Sequence, residues 1–433
     1  MFNRKYLVGI LAIAVLMLGF QVMAQDDEVI EIEYWQYNFG ARVEAMDALI
    51  AQFEEENPNI DVIHNSGIAY DNFRTELAAS VAGGVGPDVV TLFYGWIPSF
   101  VDAGYLVPLP EPFTEEYINE NFVPMVSGSA AFEGQYYAVP TAVRSLALFY
   151  NVDLLEEAGY DSPPETLSEF VEIAEATTVY DGDPSLDNIA ISGYSVQMNG
   201  QAHHWFREVL LRQYGGVPYN EENTEVLFDS PEGCEAFTWL TQFETDLLTG
   251  TNEGIGGTAD ADDAFVAGLS ALHIDGSFRL GTIARNNPDL NFGIAELPTL
   301  GPDGERHTYG SYWTHGITRR AAGDDARLEA ATKFLEFVTS PEAGSLWVEE
   351  VGELPAQTAA ADDPELLEDP IIGPFVAGLP YSHATFFADE SQQRQHLIDA
   401  FDLVRLSGVD PCEALAEAAF QEQDLLDDFW DDR

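Results

Sequence analysis

Near its start the chain alternates apolar and polar residues over Val29-Ile-Glu-Ile-Glu-Tyr-Trp35, the period of a half-buried strand. After the loop Asn38-Phe39-Gly40 the period changes. Val43, Met46, Leu49, Ile50 and Phe53 recur at helical spacing over residues 42–53, and Asn57-Pro58 stops that helix. Residues 60–63 read as a second strand and 73–81 as a second helix. Gly83-Gly84 then leads through Gly86-Pro87 into the apolar run 89–92, a third strand. Strand, helix, strand, helix, strand is the order of a parallel α/β sheet, whose ligands bind beyond the carboxyl ends of its strands. Trp35 and the group Phe93, Tyr94 and Trp96 fall at such ends, which makes them candidates for a binding surface as well as for a core.

Farther along, residues 136–140 and 147–150 read as strands joined by 141–145. Thr166-Leu-Ser-Glu169 has the spacing of a capping box, so a helix begins there. Residues 205–214 are helical in pattern and end at Gly215-Gly216. Ser230-Pro231-Glu232 and Ser340-Pro341-Glu342 each place a capping serine before a proline at the first helical position. No internal repeat or long low-complexity linker interrupts the pattern, and residues 250–263 are its loosest stretch.

A chain of 433 residues exceeds one ordinary core, so two domains are expected. Its charge narrows the partners. Seventeen basic residues stand against 75 acidic ones, for a net charge of −58, and Lys5 and Lys333 are the only lysines. The acids are spread along the chain and would repel nucleic acid, and there is no basic patch for a membrane surface. Such a surface is expected of a protein adapted to high salt, where carboxylates hold water and salt screens their repulsion; the alternative is an unusually acidic secreted protein. At the amino end, Arg4 and Lys5 precede an apolar run over 6–20, and Val22-Met23-Ala24 fits a cleavage site. Residues 1–24 are therefore expected to be a signal peptide, with the mature protein secreted to the periplasm or the extracellular face. Cys234 and Cys412 could then form a disulfide, a question that spacing leaves open.

Catalytic patterns are missing. His203-His204 do not form H-E-x-x-H, no Cys/His set has zinc spacing, and Asp260-Ala-Asp-Asp263 lacks the glycine and terminal glutamate of a calcium loop. There is no G-x-S-x-G elbow. Asp88, following Gly-Pro, is expected to bond nearby backbone donors in its turn. A secreted glycoside hydrolase, needing only two well-separated carboxylates, is the rival reading from another class. No catalytic residue and no metal ligand is assigned.

Six phrases occur in order: RVEAMDALIAQFEEENPNIDV (42–62), GPDVVTLFYGWIPSFVDAGYLVPL (86–109), YYAVPTAVRSLALFYNVDLLEEAG (136–159), FVAGLSALHIDGSF (265–278), KFLEFVTSPEAGSLW (333–347) and ELPA (353–356). Together they resemble the extracellular solute-binding proteins of ABC importers, specifically the sugar-binding family typified by maltose-binding protein. The resemblance implies an α/β fold of two lobes joined by crossover strands, with the ligand in the cleft between them. Carried onto this chain, one lobe comprises 25–142 plus 314–358 and the other 143–313 plus 359–433. It further implies a monomeric carrier without metal or organic cofactor, whose partners are a carbohydrate, expected to be an oligosaccharide, and the permease subunits of an ABC transporter. A non-sugar solute such as a polyol, glycerol phosphate or polyamine is the alternative cargo.

A sugar presents apolar ring faces and hydroxyl edges, so its site needs aromatic platforms and a few polar groups. The resemblance makes Tyr94, Trp205, Phe278 and Trp313 platforms, and Trp35 and Trp96 join them from the strand pattern. Arg144, in the expected crossover, could donate to hydroxyls or to a ligand carboxylate, or pair with one of the chain's own acids. His203, Asn38 and Tyr70 complete the set, with Asp275, which could equally fix the turn at Gly276.

Overall fold

The computed structural model describes residues 29–431, so the expected signal peptide lies outside the described residues. Among them, no helix is long and apolar enough to cross a membrane. Strand β1 (Ile30–Tyr37), helix α1 (Gly40–Glu56), β2 (Ile60–Ile68), α2 (Tyr70–Ala82) and β3 (Val89–Phe93) follow the predicted order. β1 lies between β2 and β3 and is parallel to both. The helical stripe works as its spacing implies, since α1 buries Met46, Leu49, Ile50 and Phe53 against this sheet. One boundary differs in a way that matters. After a register shift Tyr37 pairs with Ile68, so β1 continues past Trp35 and Tyr37 stands at its carboxyl end.

The centre of the molecule is made by two long strands, β4 (Ala138–Asn151) and β8 (Thr308–Ile317). With β5 (Ile189–Tyr194), β6 (Ser270–Gly276) and β7 (Phe292–Ala295), the order across the sheet is β2-β1-β3-β8-β4-β6-β5, with β7 also on β4. β8 is antiparallel to both β3 and β4, so the sheet is mixed. β4 pairs with β8 over Ala138–Ser145 and with β6 over Leu146–Tyr150. The expected break over 141–145 is thus an unbroken strand. Pro140 has no N–H for the ladder, and pairing steps from Ala142–Trp313 to Pro140–Thr314, leaving Thr141 as a bulge. The freed Thr141 hydroxyl donates to the Val338 carbonyl at 2.5 Å and accepts from His315 Nε2 at 2.9 Å.

Alternate side chains of β4 feed two cores. Ala147 and Phe149 join the one built on Ile32, Phe53 and Leu92, whereas Leu146 and Leu148 join the one built on Phe170, Phe206 and Phe237. The fold is a two-lobed α/β structure whose lobes share the strands β4 and β8.

The helix starts match their sequence signals. Thr166 Oγ1 accepts from the Glu169 N–H at 3.3 Å while the Glu169 carboxylate accepts from the Thr166 N–H at 3.0 Å. Ser230 and Ser340 cap the helices Pro231–Thr245 and Pro341–Val351. Cys234 and Cys412 are joined as a disulfide, tying helix Pro231–Thr245 to helix Pro411–Asp431. Asp88 departs from expectation. Its buried carboxylate reaches beyond its own turn, accepting from the Glu33 N–H at 2.9 Å and from Arg327 at 3.1 Å.

Candidate binding cleft

β3 ends at Phe93, and one tight turn carries Tyr94, Gly95 and Trp96 past the edge of the sheet. Opposite this turn runs the segment 384–387, which leads into helix Glu390–Ser407 of the second lobe. The Tyr94 ring stacks on Tyr312 with centroids 4.7 Å apart, and Phe387 packs on Phe93 and Tyr94 at 5.8 and 5.7 Å. Gly95 makes this approach possible. A Cβ there would lie 2.6 Å from Phe387 Cδ2, so any side chain would push the two segments apart.

Gly95 borders two cavities. The larger, of about 720 Å³, sets Tyr94, Ser129 and Phe132 against Glu208, Tyr219 and Asn220. The smaller, of about 300 Å³, sets Tyr70, Arg74 and Trp96 against Asp389, Glu390 and Arg394. In the larger chamber the one buried carboxylate is already engaged. Glu208 accepts from the Thr385 hydroxyl at 2.8 Å and from Arg212 at 2.9 and 3.2 Å. What this chamber offers is aromatic side chains together with hydroxyl and amide groups and the exposed carboxylates Glu221 and Glu222, donors and acceptors that fit a polyhydroxylated ring.

The candidates from sequence divide sharply. Tyr94 lines the larger chamber, and Tyr70 and Trp96 the smaller. Trp313 stands behind them, its ring 4.6 Å from Tyr37, 5.4 Å from Phe93 and 5.5 Å from Trp96. Neither chamber is lined by Trp35, Asn38, Arg144, His203, Trp205, Asp275, Phe278 or Trp313. Trp35 is half-buried within β1 and packs on the core, and the exposed Asn38 donates its N–H to the Ile68 carbonyl. Trp205, expected as a platform, is wholly buried between Phe170, Tyr194 and Trp239. Its helix runs from residue 202 to 213, with a wider turn over Trp205–Leu210 that sets this side chain on the core-facing side. His203 is buried against His204, with ring centroids 3.8 Å apart, and burial lowers its pKa to about 3, so the ring is neutral. Asp275 fixes its turn, accepting from the Gly276 N–H at 2.7 Å and from Arg279 at 2.5 Å.

Arg144 pairs with an internal acid. Its Nε donates to Glu353 Oε1 at 2.7 Å, and its guanidinium lies 5.0 Å over the half-buried Phe278 ring. Arg42 binds the same Glu353 oxygen, and the Trp347 indole donates to the other at 2.9 Å. Burial opposes ionisation of Glu353, but the two guanidiniums outweigh it and hold the pKa at about 2. This charged cluster lies beside β4 and β8, where the lobes join. Nearby, His315 is held neutral by burial, with a pKa of about 3. Its Nε2 carries the proton, because the Thr141 hydroxyl that faces it spends its own hydrogen on Val338.

Among the described residues, one set of ligating groups stands outside the cleft. Asp262, His273 and Asp275 are close enough to share an ion, but Arg279 binds both carboxylates and supplies the positive charge itself. Residues that sequence reading missed include Tyr37, Glu208, Glu353, Thr385 and Phe387. Glu353 lies in the phrase ELPA, and Phe386-Phe387 is an aromatic pair just before the helix cap Asp389. Both signals were present, but neither says which way a side chain points.

Comparison with known proteins gives a consistent result. A family model described as "Bacterial extracellular solute-binding protein" matches residues 48–374. The maltotriose-binding protein of Pyrococcus abyssi is 25% identical over 355 residues, covering 82% of this chain and 72% of that protein. Among solved structures, the cyclic α-maltosyl-1,6-maltose binding protein of Arthrobacter globiformis is similar with a TM-score of 0.79 at 24% identity, covering 92% of this chain and 99% of that one. The sugar-binding protein MalE of Xanthomonas citri is similar with a TM-score of 0.77 at 21% identity, covering 92% and 98%.

Proposed function

We propose that this chain, a member of the bacterial extracellular solute-binding protein family, captures an oligosaccharide between its lobes and presents it to an ABC permease. The observation that carries this reading is the 720 Å³ chamber between the lobes, lined by Tyr94 and Tyr219 and by polar groups, with its buried carboxylate Glu208 already paired with Arg212. Its size falls within the range of organic-ligand pockets, and its stacking faces suit sugar rings. Relatives named for maltotriose, cyclic maltosyl-maltose and sugar binding support the same class of cargo. The matched family and these relatives are binding proteins rather than enzymes.

In this reading the two lobes hinge about β4 and β8. Contacts from both lobes favour the closed form, and that differential affinity drives closure, which the permease reads. The lobes are taken as 25–142 plus 314–358 and 143–313 plus 359–433, acting as a monomer exported by the 1–24 leader to the periplasm or the cell exterior. The net charge of −58 is read as adaptation to a saline exterior, and a melting temperature that rises with added salt would bear this out.

The test is a thermal-shift screen of mono- and oligosaccharides in high salt, with calorimetry on each hit. An oligosaccharide should raise the melting temperature by mass action. Binding of an amino acid, polyamine or phosphate ester with no response to any carbohydrate would overturn the sugar reading. Release of reducing ends from a bound glycan would favour a hydrolase instead.

A further inference from the structure

We infer that Phe387 is a specificity-determining partition that divides the cleft into two chambers and limits how far a bound glycan can extend. The inference rests on the oligosaccharide reading above and adds to it the residue that bounds the ligand. Phe387 is almost fully buried, with 4% of its surface exposed, and although it comes from the segment that leads into helix Glu390–Ser407 it packs into the core that holds Tyr94 and Trp96. It lines the larger chamber and presses on Gly95, the residue that borders both chambers. Phe93 and Tyr94 flank it on one side and His204 on the other, at 5.8, 5.7 and 6.2 Å between centroids. The ring therefore closes the larger chamber at Gly95, on whose other side the smaller chamber begins.

The two chambers differ in chemistry. Beyond the partition, the smaller has Tyr70 and Trp96 from the first lobe, with the Arg74 guanidinium 5.8 Å over the Trp96 ring. Across from them, Arg394 pairs with Glu390 at 3.0 Å. The exposed Tyr70 ring, with the buried Trp96 behind it and guanidinium donors beside it, can take one further sugar ring, by stacking and by hydrogen bonds to its hydroxyls. With the Phe387 ring in place, a glycan seated on Tyr94 ends at the partition. If the ring is removed, the same glycan can run on to Trp96.

The test compares maltose through maltoheptaose by calorimetry on the full chain and on the Phe387→Ala and Phe387→Leu variants. Wild-type affinity should stop rising once the chain fills the larger chamber. In Phe387→Ala the affinity ratio of the longest to the shortest binding glycan should rise about tenfold, the worth of one added stacked ring. Phe387→Leu keeps an apolar side chain at the packed site and should shift the ratio in the same direction but less. A variant that weakens every chain length by the same factor would overturn the partition and make Phe387 an ordinary platform, leaving the oligosaccharide reading standing. If neither the wild type nor the variants bind any member of the series, the partition is overturned, and the oligosaccharide reading stands or falls on the wider screen above.

Discussion

The hydroxyl of Tyr94 donates to the backbone carbonyl of Thr385 at 3.1 Å, joining the turn after β3 to the segment that carries Phe387. One residue thus serves two purposes: its edge ties the lobes and its face lines the chamber. The Tyr94→Phe variant removes only the tie, so glycan affinity should fall by no more than about fivefold, the worth of one hydrogen bond. Tyr94→Ala also removes the face and should weaken binding by about tenfold or more. Equal affinity in the wild type and both variants, measured by calorimetry, would move the binding site elsewhere.

The cluster around Glu353 should dominate acid sensitivity. Its folded pKa of about 2 lies below its ordinary 4.5, so its contribution to stability is present above pH 4.5 and is lost as pH falls toward 2. Glu353→Gln would leave the Arg42 and Arg144 guanidiniums without their shared partner, at a cost of about 3–5 kcal/mol near neutral pH. Urea unfolding should show the variant far weaker near neutral pH and the gap narrowing in acid. A constant gap across that window would rule out the ion pairs as its cause.

Glu244 should behave in the opposite sense. It is buried in helix Pro231–Thr245 with its nearest guanidinium, Arg405, 3.9 Å away, and burial raises its pKa from 4.5 to about 8. A raised folded pKa means that its contribution is complete below pH 4.5 and is lost as pH rises through 8. Glu244→Gln keeps the shape without the titration. Between about pH 6 and pH 9 the variant should therefore lose about 1–3 kcal/mol less stability than the wild type. Parallel stability curves would refute this account.

Reduction of the Cys234–Cys412 bond should also be measurable. The bond closes a loop with a sequence separation of 178 residues, and chain-entropy reasoning puts the stabilisation of such a link on the order of 5 kcal/mol at most. Thiol reductant should lower the melting temperature of the wild type and leave a Cys234→Ser, Cys412→Ser double variant unchanged. Free thiols at both positions in protein isolated without reductant would contradict the bond itself.

The pattern of the sequence carried the first five elements and the helix caps almost intact, because burial periodicity and capping chemistry are local. Thr166 and Glu169 need nothing beyond each other to declare a helix start. The cleft was legible only where a residue sits at a strand end, as Tyr94 does. Trp205 and Trp313 carry the same side chain at comparable local cues, yet one is sealed in a core and the other backs the cleft, a difference fixed by helix rotation and strand pairing. Arg144 was expected to meet a ligand or one of the chain's own acids, and the acid it pairs with lies 209 positions away in the chain. No local pattern could have chosen Glu353 from among 75 acids.

The placing of β8 between β3 and β4 also sets an order of events. A chain emerging from its amino end exposes β1 to β4 while the strand that closes their sheet, ending at Ile317, is still to come. β4 and β6, by contrast, can pair as soon as residue 276 is available. The sheet of the lobe that begins first therefore stays open until residue 317 has emerged, and until then β3 and the first half of β4 present open edges to any neighbouring chain. For such a topology, slow release or a holding chaperone protects the nascent protein more than added stability of the finished fold would.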